Sequence, residues 1–70
     1  MNIALDDIKS KAPEGATHYM HVGMVLGTGD NVVLYYKLFN GLYYCWDCNE
    51  WELSEYQSDH RNFISNIKPL

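Results

Sequence analysis

Cys45-Trp46-Asp47-Cys48 sets two thiols with two residues between them, a spacing that serves two chemistries. A redox pair needs its first thiol at a helix N-terminus following a strand, where the dipole lowers the thiol pKa. Here the pair closes one strand and enters another turn, a context that argues against redox work. The same strand-to-turn geometry can form half of a zinc knuckle, and His18 and His21 would complete a Cys2His2 set. His60 is an alternative fourth ligand. In a regular strand, however, residues 18 and 21 point to opposite faces, so both bind one ion only across a bulge. The simpler reading makes Cys45 a small core residue and Cys48 a partly exposed turn residue. No cofactor is expected, with zinc kept as the rival.

Other chemistry is weaker still. The three histidines could act as a general base or a pH switch. No Ser or Cys stands with a His and an acid at a spacing that favours a triad. The Gly27-Thr28-Gly29-Asp30 loop lacks the Lys-Ser/Thr and the helix of a phosphate loop. A domain of this size also has little room for a buried cleft, so an enzyme is not expected.

The elements that must hold these residues follow from pattern. Ile3, Leu5 and Ile8 stand among charges in a segment too short for a stable isolated helix. Ala12-Pro13-Glu14-Gly15 fits a type I turn, with proline at its second position and glycine at its fourth. "THYMHVGMVL" then reads as a strand over Thr17–Leu26, and "VVLYYKLF" as another over Val32–Phe39. Asn40-Gly41 is a strong hairpin signal and returns the chain through "LYYCWD". A polar turn at Cys48-Asn49-Glu50 leads into a short strand at Trp51–Leu53. Beyond it, Tyr56, His60, Phe63, Ile64 and Ile67 share one helical face, with Ser54 or Ser58 as the start and Pro69 beyond the end. The reading is one small α+β domain over residues 1–70. An arm spans 1–11, a three- to four-stranded antiparallel meander 12–53, and one C-terminal helix, roughly 55 to 65, lies within the helix and tail of 54–70.

A two-residue turn pairs Phe39 with Leu42, Leu38 with Tyr43, Lys37 with Tyr44, Tyr36 with Cys45 and Tyr35 with Trp46. Directly opposed residues share a face. The first face then carries Val32, Leu34, Tyr36, Leu38, Tyr43 and Cys45. The second carries Val33, Tyr35, Lys37, Phe39, Leu42, Tyr44 and Trp46. Both are apolar, unlike a sheet with one solvated side. The C-terminal helix is expected on the first face. The second is either covered by residues 1–16 or left as a protein-binding or self-association surface, with Tyr35, Tyr44, Trp46 and Trp51 as contact residues.

Composition narrows the partners. The chain has 70 residues, 47% apolar, with a net charge of −4 from five basic and nine acidic residues. Five cations make no dense stripe for phosphates, and Lys37 alone accompanies the aromatics of the second face, so nucleic acid is not an expected partner. The acidic residues are too scattered for a nucleic-acid mimic. The start lacks the pattern of a signal peptide, and no run is long enough for a membrane helix. A chain that opens at Met1 with one compact pattern reads as a complete small gene product. Its two cysteines suit a reducing cytoplasm.

"KAPEGATHY", Lys11 to Tyr19, resembles the opening of a large group of small, mostly uncharacterised tailed-bacteriophage proteins. Those proteins continue through a "YYK…GLYYCW"-like hairpin and an isolated Trp, here "EWELS", and often close on a segment like "NIKPL". The likeness covers residues 11–53 well and 64–70 weakly. It implies phage origin, life in the host cytoplasm and an accessory role, and it implies no catalytic residues. The expected function is non-enzymatic: binding a host protein, such as one of antiviral defence, through the aromatic sheet face or a strand edge, to inhibit or redirect it. The rivals are a homo-oligomer enclosing a small ligand such as a nucleotide signal, and a zinc-stabilised structural module.

Overall fold

The structure is a computed structural model and describes residues 4–70; Ile3 lies outside them. Helix α1 spans Leu5–Ser10, and strands β1 to β4 span His18–Met24, Asn31–Phe39, Leu42–Asp47 and Glu50–Leu53. Helix α2 spans Arg61–Asn66, and β5 is Lys68–Pro69. The strands form one antiparallel sheet in the order β4-β3-β2-β1-β5. An α+β meander with a C-terminal helix is therefore what the chain builds, with a fifth strand and a second helix that the sequence pattern did not disclose.

The central hairpin adopts the expected register from Tyr36↔Cys45 to Phe39↔Leu42. Asn40 and Gly41 take φ of 52° and 79°, as a two-residue turn matching the strand twist requires. Register then places β4 and β1 on the same two faces. Trp51 and Leu53 join the second face opposite Trp46 and Tyr44, while Glu50 and Glu52 join the first opposite Asp47 and Cys45. In β1, His18 and Met20 fall on the first face, and Tyr19 and His21 on the second, before a bulge between His21 and Gly23 shifts the pairing.

The core lies on the first face, as expected. Tyr36 and Tyr43 pack edge-on against Phe63 of α2, each with ring centroids 5.2 Å apart, and Ile67 completes the buried cluster. Ring pairs of this kind favour edge-to-face contact beyond the area they bury.

The helix itself is shorter and later than its periodicity suggests, beginning at Arg61 rather than near residue 55. The cause is Gln57. Its carbonyl accepts from Tyr43 N–H at 2.8 Å while its amide donates to the carbonyls of Tyr43 and Ser54. The side chain thus completes the ladder of β3 and holds residues 54–60 in turns. His60 caps the helix instead of Ser54 or Ser58, its Nδ1 accepting from Phe63 N–H at 3.2 Å.

The turn after Pro13 also differs from expectation. Ala16 N–H donates to Pro13 C=O, which puts Pro13 first in the turn and Gly15 third, with φ of 93°. That is the position where a type II turn calls for glycine.

Candidate functional site

The second face is where a partner was expected, and the leading segment covers part of it. Ile8, on the inward side of α1, is 1% exposed. The Tyr35 hydroxyl donates to the Ile8 carbonyl at 2.7 Å, tying α1 down over that ring. Tyr35 is therefore occupied within the chain. A short helix with no side-chain cap at Ala4 persists here because its one buried apolar residue is docked. Further along the arm, a Cβ placed on Gly15 would stand 3.7 Å from both Trp51 Nε1 and the Lys37 Cδ, so the turn at Gly15 passes close over these two side chains.

Tyr44, Trp46 and Trp51 come together as the sequence reading had them. Trp46 and Trp51 are directly opposed across β3 and β4 with ring centroids 5.1 Å apart. Lys37 Nζ sits 5.1 Å from the Trp51 ring centre, 5.6 Å from that of Tyr44 and 5.7 Å from that of Phe39. A cation at these distances is held by the ring quadrupoles. The three aromatics are half-buried.

At the hairpin end of this face three large apolar side chains stay exposed. Phe39 is 56% exposed, Leu42 43% and Leu53 61%. Phe39 opposes Leu42, and Tyr44 opposes Leu53, so these four side chains form one continuous corner. Sequence reasoning missed Leu53, because assigning its face requires the register across the Cys48-Asn49 turn. It also missed Lys68, which lies opposite Tyr19 and adds a second cation to this face.

The first face is not fully closed either. A groove of about 310 Å³ runs beside α2 between Met20, Leu34 and Tyr36 on one side and Tyr56 and His60 on the other. It adjoins a wider one of about 520 Å³ that reaches Cys45, Asp47, Glu52 and Glu55. Asp47, then burial, then Glu50 raise the Glu52 carboxyl above its ordinary value. Burial, with the neighbouring Cys45, pushes the Tyr36 phenol up to about 12.

The zinc candidates are dispersed. Cys45 is half-buried on the first face and Cys48 is exposed in the turn at φ 55°; both are free thiols. His18 faces Tyr43 edge-on and its Nδ1 lies 2.7 Å from Thr17 Oγ1. His21, on the opposite face, pairs its Nε2 with Asn31 Oδ1 at 3.0 Å. Among the described residues no three His, Cys, Asp or Glu side chains stand close enough to share a metal ion. Nor is any helix among them long and apolar enough to cross a membrane.

Comparison with protein-family models, with curated proteins and with solved structures finds no match in any of the three.

Proposed function

We propose that the chain is a non-catalytic phage accessory protein that binds a host protein through the open corner of its second sheet face. The observation that carries this is the run of exposed Phe39, Leu42 and Leu53 around the half-buried Tyr44. Exposed apolar side chains cost solubility, whereas aromatic and aliphatic side chains on a hairpin are what a protein partner desolvates. Trp46 and Trp51 stand behind the corner as a ring pair, and Lys37 links them to it, its ammonium lying over the rings of Trp51, Tyr44 and Phe39.

The chemistry of Cys45 favours the same reading. Burial raises its thiol, a hydrogen bond with Tyr36 partly offsets the rise, and Asp47 and Glu52 add to it, so the net shift is upward. An activated nucleophile needs the opposite shift. The "KAPEGATHY" resemblance supplies the phage setting and, with it, the host cytoplasm as the place of action.

The test is capture from host-cell lysate by the wild type and by a Phe39→Ser, Leu53→Ser double variant, with circular dichroism to confirm that the variant folds. Loss of a discrete partner by the folded variant supports the corner. Equal recovery by both refutes it. A dimer of the wild type that the same substitutions dissociate assigns the corner to self-association instead.

A further inference from the structure

β4 is the outermost strand on its side of the sheet, and among the described residues no strand lies beyond it. Its ladder parity is readable. Ser54 N–H donates to Tyr43 C=O at 2.9 Å, so Tyr43 and Ser54 form a hydrogen-bonded position. By the two-residue alternation, Glu52 opposite Cys45 and Glu50 opposite Asp47 do the same. Trp51 and Leu53 therefore turn their backbone N–H and C=O outward, a template for another strand.

The side chains of this edge select what can be added. Glu50 and Glu52 lie on the first face beside Asp47, and neither β3 nor β4 contains a basic residue. The crowding is enough to lift the Glu52 carboxyl, with Asp47 the largest cause. Trp51 and Leu53 occupy the second face. A second copy of β4, added antiparallel and centred on Trp51 or on Glu52, would set glutamate against glutamate. Like charges directly opposed are destabilising, so the edge discourages its own kind.

We propose that the free edge of β4 receives an extended segment of a partner protein in which basic residues alternate with apolar ones. Its basic side chains lie opposite Glu50 and Glu52, over the acidic end of the first-face groove at Asp47 and Glu55. Its apolar side chains lie beside Trp51 and Leu53 and extend the corner on the other face. Backbone pairing supplies the attachment, and the acid-over-apolar division of the edge sets the polarity of the strand it accepts. The inference rests on the protein-binding reading above and adds the chemistry of the partner and its mode of docking.

The experiment uses the full chain, isotope-labelled, titrated with three end-blocked hexapeptides: alternating Lys-Val, the same residues as a Lys block followed by a Val block, and alternating Glu-Val. The alternating basic peptide is expected to bind about tenfold more tightly than either control, a preference that two cross-strand pairs can supply. It is also expected to slow amide exchange at Trp51 and Leu53. In the folded Glu50→Lys, Glu52→Lys variant the preference should pass to the Glu-Val peptide. Equal binding of the blocked and alternating basic peptides would reduce the effect to net charge and overturn the proposal. Unchanged exchange at Trp51 and Leu53 would overturn it too. The two readings fail separately. If Phe39→Ser, Leu53→Ser abolishes host-protein capture while the peptides leave the β4 amides untouched, the corner stands and the edge falls. If the alternating peptide protects those amides while the double variant keeps its partner, the edge stands and the corner falls.

Discussion

The two faces of the central hairpin are both apolar in sequence and unequally covered in structure. On the first, Phe63 and Ile67 seal Tyr36 and Tyr43 into a core. On the second, α1 docks one side chain, Ile8, and a single hydrogen bond from Tyr35 anchors it. The cover on the first face is made of rings interlocking with rings. The cover on the second is a six-residue helix and the turn at Gly15, which passes close to Trp51 and Lys37, and the hairpin corner stays exposed. A chain of this length has too little surface to bury to close both sides completely. The difference teaches where stability resides: the better-packed face holds the fold, and the other leaves its hairpin corner exposed to solvent.

The comparison breaks first at Phe63. Phe63→Ala removes the ring that both core tyrosines contact and should cost about 3–5 kcal/mol, most of what a small domain possesses. Chemical denaturation measures it; a cost below about 1 kcal/mol, typical of a surface substitution, would mean that the core lies elsewhere. Ile8→Ala should cost less, about 2 kcal/mol, because only α1 is released while the sheet persists. Proteolysis of the first residues ahead of global unfolding would show that release. Tyr35→Phe should remove about 1 kcal/mol, one buried hydrogen bond, and raise exchange within α1 without disturbing Tyr36 or Tyr43.

The smallest effect concerns pH. Burial holds the His18 imidazole below its ordinary value of 6.5. As pH falls through that value the unfolded chain takes up the proton first, so stability declines with acidification and levels off once the folded form also titrates. Melting curves across this range should show the decline, and His18→Gln should flatten it. An unchanged slope in the variant would assign the effect to another group.

Much of the fold was legible because it is local. The Asn40-Gly41 turn fixes the hairpin register, and the register fixes which residues share a face, so the core tyrosines and the target of the C-terminal helix follow. What escaped depends on contacts distant in sequence. The helix start moved because Gln57 spends its amide on Tyr43, 14 residues away. The fifth strand exists only because Lys68 and Pro69 meet β1. α1 has weak propensity to form alone and is stabilised by a hydrogen bond 27 residues distant. Of the aromatic site, the shared face of Tyr44 and Trp46 was readable from alternation, and Trp51 stood out by residue type, its place opposite Trp46 resting on the register across the Cys48-Asn49 turn. The withdrawal of Tyr35 beneath α1 and the exposure of Leu53 were not, since both rest on tertiary register.

Uneven cover of the second face is the claim on which the rest depends, and solvent paramagnetic relaxation in the isolated chain tests it most directly. A soluble spin probe should broaden the side-chain signals of Phe39, Leu42 and Leu53 strongly while leaving those of Ile8 and Phe63 nearly untouched. Equal protection of Leu53 and Ile8 would show the corner closed by the chain itself, and equal broadening of the two would show α1 undocked; either result contradicts the account.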